Sequence, residues 1–270
     1  MKAVILVDNN GTECLTGEWG LCVYIETEAA DILLDTGASA LFIENAEKLG
    51  KDLKKVDAAV LSHAHWDHAN GIADFLNINS RAKFYLRKPI APNCYSYEDD
   101  EYSYIGIPEN VISDYGDRIV LAEGNVTIAP GVYLIPHKTA GLEQIGIREN
   151  MFLKTEYGYK PDDFAHEQSL VIETPKGLVI FNSCSHGGTM NILREAEETL
   201  PGKNIYALIG GFHLFNKTED EVRTVGRALK EYGIKYVCTG HCTGDEAYAI
   251  LKEELGEILH PMYCGMEMEI

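Results

Sequence analysis

The chain has 270 residues, a length that suits one large α/β domain or two small ones. Apolar residues make up 46% and charged residues 24%, which excludes an intrinsically disordered or collagen-like chain. The formal net charge of −19 repels nucleic acid and anionic membranes, while a bound cation would still admit an anionic small-molecule substrate.

No run of 18 apolar residues occurs, so no membrane-spanning helix is expected. Residues 4–7 read as a first buried strand and not as part of a signal peptide. Short apolar runs at 21–25, 32–34 and 58–61 predict further strands, with a helix over 39–50. Residues 88–165 are rich in Tyr, Pro and acids and have poor periodicity. They read as an irregular excursion within a single domain spanning 1–270, and long loops of this kind often carry function. Strands are then expected at 170–172, 178–181, 205–209 and 236–238. Between them, a helix over 190–200 ends at Pro201. Thr218 and Glu221 have capping-box spacing ahead of Val222, Val225, Leu229 and Tyr232, and Gly233 closes that helix. Thr243 and Glu246 repeat the spacing ahead of Ala247, Ile250, Leu251 and Leu255. The seven cysteines are scattered without a C-x-x-C pair, which predicts reduced thiols and a cytoplasmic protein.

Four apolar runs end in a small or glycine-containing turn followed by histidine, which supplies His63, His186, His213 and His241. Ligands of α/β folds collect beyond the carboxyl ends of strands, so these imidazoles are candidates for one site. The densest cluster is H-x-H-x-D-H at 63–68. Three imidazoles and a carboxylate in six residues suit a borderline cation such as Zn²⁺. His63 and His65 point the same way from an extended turn and can grip one ion. Asp67 and His68 point elsewhere and can begin a second site a few ångströms away.

The hexapeptide, together with Asp35-Thr36-Gly37 upstream, resembles the metallo-β-lactamase superfamily. Further segments are similar to one branch of it, the metal-dependent hydrolases of the dihydropterin-ribofuranosyl-aminobenzene-phosphate synthase-like group. They are Glu18-Trp19-Gly20-Leu21, Glu167-Gln168-Ser169-Leu170, Cys184 to Gly188 with Asn191, Gly210 to Leu214, and His241 to Gly244. The resemblance implies an αββα sandwich, two mixed sheets with helices outside, and a site in the cleft at one edge. It implies His63 and His65 as ligands of a first ion, and Asp67, His68 and His241 as ligands of a second. His186 is the third ligand expected at the first ion. His166 competes for that place because it precedes a strand, as the superfamily pattern requires. Cys184 stands where a bridging Asp is usual, and reads either as a thiolate ligand or as an inert buried thiol. His213 matches no metal position of the superfamily and reads either as a proton donor facing the cleft or as a structural histidine. His137 and His260 adjoin prolines and are expected in surface turns.

The activity these residues imply is hydrolysis of a small ester, thioester or phosphoester by a metal-bound hydroxide, with one or two Zn²⁺ per chain, or Fe or Mn. Asp67 would orient the nucleophile and His213 would protonate the leaving group. Two alternatives compete. Di-iron redox proteins of the same fold resemble H-x-E-x-D-H, whereas here Ala64-His65-Trp66 contains no Glu. A non-catalytic binder using the metal site to sense a ligand is modestly favoured by the replaced Asp. Serine hydrolase, P-loop NTPase and thermolysin-type readings find no G-x-S-x-G, Walker or H-E-x-x-H motif.

Overall fold

A computed structural model describes all residues, Met1–Ile270. Alternation along the strands decides the layering, because successive side chains leave a strand on opposite faces. In Lys2–Val7, Ala3 and Ile5 join one apolar cluster, while Val4 and Leu6 join another. Both faces of this strand are therefore covered.

The first seven-stranded sheet runs, edge to edge, Glu267–Glu269, Lys2–Val7, Cys22–Glu26, Asp31–Leu34, Ala58–Val60, Lys83–Arg87 and Ile119–Ala122. The second runs Leu259–Pro261, Tyr236–Thr239, Ile205–Ile209, Gly177–Phe181, Gln168–Thr174, Val132–Pro136 and Val126–Ala129. Each is mixed, with one end parallel and the other antiparallel. Ile5, Val23, Ile32 and Leu34 of the first sheet meet Leu170, Val179, Phe181 and Ile209 of the second in one buried cluster, so the sheets pack face to face. Phe42 and Ala46 of the helix Leu41–Lys48, and Phe75 of Ile72–Ile78, cover the outside of the first sheet. The helices Thr189–Thr199, Glu219–Tyr232 and Asp245–Leu255 cover the second, through Leu193, Leu229 and Leu251. The result is the expected αββα sandwich. No helix is long and apolar enough to cross a membrane.

The helix Glu219–Tyr232 starts with the predicted capping box, Thr218 and Glu221 each bonding the other's backbone, and Gly233 ends it at φ 86°. Thr243 does not cap the next helix. Its hydroxyl faces inward, accepting the Phe212 N–H at 3.0 Å and sharing a proton with Thr239. Gly244 occupies the cap position instead.

Residues 88–165 are more regular than their composition indicates. Cys94–Glu98, Glu101–Tyr104, Met151–Thr155 and Gly158–Pro161 form a separate four-stranded antiparallel sheet. Three further strands of the stretch complete the edges of the two large sheets. Asp99 and Asp100, at φ 52° and 62°, make the tight hairpin turn between the first two strands of the small sheet.

Candidate metal centre

Ala58–Val60 delivers the chain into Ser62, His63 and His65, and a single helical turn, Trp66–Ala69, then carries Asp67 and His68. Asp35, fully buried and left-handed at φ 59°, orders this turn. Its carboxylate accepts the Ser62 N–H and hydroxyl at 2.7 Å each, and the His68 Nδ1–H at 2.8 Å. The Ser62 hydroxyl proton goes to Asp35, so the proton shared between Ser62 Oγ and His63 Nδ1, 2.8 Å apart, sits on the histidine. His63 Nε2 is thereby left as a lone pair aimed away from the brace. His241 follows the strand Tyr236–Thr239 at φ 49°, with Nδ1 3.1 Å from Asn9 Oδ1 and its N–H on Asp8. A partner on the outer ring nitrogen that leaves the inner one free is the usual preparation of a metal-binding histidine.

Two groups of donor atoms result. In the first, His63, His65 and His186 each offer a ring nitrogen, all within 4.8 Å of one another. Nε2 of His63 and His65 and both nitrogens of His186 are buried without any hydrogen-bond partner. Burial, reinforced by neighbouring imidazoles, pushes His63 and His186 well below the ordinary histidine value and takes His65 down to about 3. In the second group, His68 Nε2 lies 3.2 Å from His241 Nε2 and 3.3 Å from Cys184 Sγ, and Asp67 Oδ2 lies 3.5 Å from both histidines. Burial alone would lower His68, but the carboxylates of Asp67 and Asp35 outweigh it and lift the group to about 10. Nitrogens held about 2.05 Å from a tetrahedral cation stand about 3.3 Å apart. The second group has that spacing, and the first has the orphaned donors, so these residues fit a cation at each place.

His186 is positioned from below by a charged trio that sequence reasoning missed. Glu167, fully buried, accepts the N–H groups of His186 and Gly187 at 2.9 and 2.8 Å. His137 bridges Glu167 to Glu195, whose other oxygen receives the N–H groups of Lys138 and Thr139. His137 is thus an interior residue and not a turn residue on the surface. Burial opposes its charge, but hydrogen bonds to the two carboxylates raise it to about 9. The spacing of Pro136-His137 gave no sign of this, because its partners lie 30 and 58 residues away.

His166 lies next to the same donors but spends both nitrogens elsewhere. Nδ1 accepts the Ala64 N–H at 3.1 Å and Nε2 donates to Asp162 at 3.0 Å. It therefore pins the backbone between His63 and His65. An N–H pointing at Nδ1 requires the neutral tautomer, so the ring is uncharged despite the carboxylate beside it. His213, at φ 48°, faces His186 at a ring distance of 4.5 Å, with Nδ1 buried and unpartnered and Nε2 3.7 Å from Glu149. Cys184 is buried against His68, and Cys242 packs behind it. Ser185, Asp35, His213 and His241, all left-handed and none of them glycine, border the centre. His260 stacks on Tyr236 at the far edge of the second sheet.

Residues 16–241 match the family model of the metallo-beta-lactamase superfamily. The chain is similar to the 7,8-dihydropterin-6-methyl-4-(beta-D-ribofuranosyl)-aminobenzene-5'-phosphate synthase of Methanocaldococcus jannaschii, at 29% identity over 260 residues, covering 91% of this chain and 88% of the relative. It is also similar to a solved structure, a metal-dependent hydrolase of the beta-lactamase superfamily, at 30% identity and a TM-score of 0.84, covering 100% and 99% of the two chains. Zn²⁺-bound PqqB of Methylobacterium extorquens shares the fold at 11% identity and a TM-score of 0.55, with full coverage of both chains.

Proposed function

The chain belongs to the metallo-beta-lactamase superfamily, and on that footing we propose that it is a metal-dependent hydrolase of a small ester, thioester or phosphoester. One observation carries the reading. Seven imidazole, carboxylate and thiol groups from three segments bring donor atoms to cation spacing, and those of the first group have no other partner.

In this reading His63, His65 and His186 hold one cation, and Asp67, His68 and His241 hold a second, with Cys184 beside His68. Zn²⁺ suits the nitrogen-rich first set, and a thiol in the second set favours the same borderline ion over a hard one. Such a cation supplies Lewis acidity and a water ionised near neutral pH. The protein's own groups do the rest. Asp35 and Asn9 fix the ring orientations of His68 and His241. Asp67, between the two histidines, is placed to hold a proton of the attacking water. His213, with a free Nδ1 beside His186 and Nε2 3.7 Å from Glu149, is placed to hand a proton to the leaving group.

A group-transfer reading is favoured by the similarity to a synthase. The same centre would then direct an acceptor other than water at the activated bond. Metal-loaded protein incubated with p-nitrophenyl phosphodiesters and thioesters tests the proposal. Release of product that stops with chelator and returns with Zn²⁺ is expected. No turnover of any such substrate by protein carrying two equivalents of metal would overturn it.

A further inference from the structure

The segment Glu18-Trp19-Gly20-Leu21 plays no part in holding a cation, yet it is clamped to the centre from both sides. The Glu18 carboxylate accepts the N–H groups of Ala38 and Ser39 and the Ser39 hydroxyl, on the turn that follows Asp35. Gly20 lies so close to the metal-motif backbone that a Cβ there would stand 2.5 Å from the Asp67 carbonyl oxygen, and its φ of 157° suits glycine. A loop fixed this firmly nevertheless leaves Trp19 46% exposed. An exposed indole forgoes the stabilisation that burial of so large an apolar surface would bring.

Trp19 does not stand alone. Its ring is 5.1 Å from that of His241 and 6.2 Å from Phe215, which meets it at 85°. Phe215 is 52% exposed and lies 5.2 Å from His213, which in turn faces His186. Gly244 lets Phe215 take this place, since a Cβ on Gly244 would press on Phe215 at 3.0 Å. Aromatic rings therefore run without a break from one histidine group to the other. They open onto a cavity of about 290 Å³ lined by Asn9, Trp19, Phe215, His241, Asp245 and Tyr248, among others, with no Lys or Arg in its wall.

We propose that the right-angled corner of Trp19 and Phe215 is a substrate subsite that takes an uncharged planar aromatic ring and presents the bond attached to it to the metal centre. The proposal deepens and rests on the hydrolytic reading of that centre. A flat ring can stack on one wall and receive the edge of the other, the two geometries aromatic pairs prefer. A puckered ring of equal volume can do neither. With no cation in the wall and the Asp245 carboxylate at its rim, the corner discriminates against an anionic ring substituent.

The test uses two neutral probes with the same amide, 2-naphthamide and decalin-2-carboxamide, titrated into metal-loaded protein by ligand-observed NMR. The planar probe is expected to bind about tenfold more tightly than the puckered one. Trp19→Leu, which keeps an apolar side chain, and Phe215→Ala are each expected to remove most of that preference, with metal content per chain unchanged. Trp19→Phe is expected to keep the preference within about threefold and so separates ring recognition from loop collapse. Equal affinity for the two probes, or an undiminished preference in both Trp19→Leu and Phe215→Ala, would overturn the subsite. Neither probe needs to be hydrolysed, so equal affinities in wild-type protein that turns over its test substrates sink only this inference, and a ring preference in protein without turnover sinks only the hydrolytic reading.

Discussion

In one half of the centre, Nε2 of His63 and His65 and both nitrogens of His186 meet no partner, whereas in the other half Nε2 of His68 and His241 lie 3.2 Å apart, with Asp67 at 3.5 Å. Burial keeps the first three rings neutral, and nothing has to leave before they can donate to a cation. His68 instead carries a proton held there by Asp67 and Asp35. A metal entering the second half must displace that proton, so binding there costs more as the pH falls. The two halves share residue types but not readiness, and the difference predicts that the first half fills before the second.

Removing His186 is the harshest way to break this comparison. His186→Ala is expected to weaken the tighter metal equivalent by more than about a hundredfold, since a ligand should matter more than the residue behind it. His166→Ala should cost less, because its nitrogens serve Ala64 and Asp162. Metal titration followed by elemental analysis reads both, and a larger loss in His166→Ala would exchange their roles. Asp67→Asn is next. It should abolish the weaker equivalent and spare the tighter one, and simultaneous loss of both would show that the halves are one unit. Glu167→Gln tests the support beneath His186. Replacing an outer-shell partner typically costs 10- to 100-fold in metal affinity, and the loss should fall on the first half alone.

The pH dependence of stability probes the same support more gently. The folded-state value of His137 is raised to about 9 from an ordinary 6.5, so its contribution is complete below about pH 6.5 and is lost as pH rises through about 9. Chemical denaturation should show wild-type protein losing on the order of 2 kcal/mol between pH 6.5 and 9.5 beyond what His137→Gln loses. Parallel profiles would refute a charged His137. Smallest is Thr218→Ala, which removes the capping box at the N-terminus of the helix Glu219–Tyr232. It should cost about 1 kcal/mol of stability and leave both metal equivalents untouched, as a control for general loosening.

The sequence made the cation donors of both halves easier to read than the support of the first. His63, His65, Asp67 and His68 fall in one hexapeptide, and His186 and His241 follow apolar runs, so local pattern and strand ends were sufficient. The large sheets were equally legible, since strands buried on both faces are continuous apolar runs. The trio of His137, Glu167 and Glu195 was not, because nothing in three distant segments marks charges that will neutralise one another inside. Thr243 misled for a related reason. Its spacing to Glu246 is right for a cap, but Thr239 and the Phe212 N–H outcompete the helix for its hydroxyl. The small sheet escaped because its strands are half exposed and lack alternation, and its turn uses Asp99-Asp100, without the glycine that usually announces such a hairpin.

The left-handed backbone at Asp35, Ser185, His213 and His241 has an evolutionary consequence. Each such residue costs the folded chain on the order of 1 kcal/mol or more, a debt that glycine would cancel. Heat resistance and catalysis therefore pull these four positions in opposite directions. Ser185, whose hydroxyl donates only to the Gly211 carbonyl, is where a lineage drifting toward thermal endurance would yield first. The three others would have to be defended by selection for turnover alone.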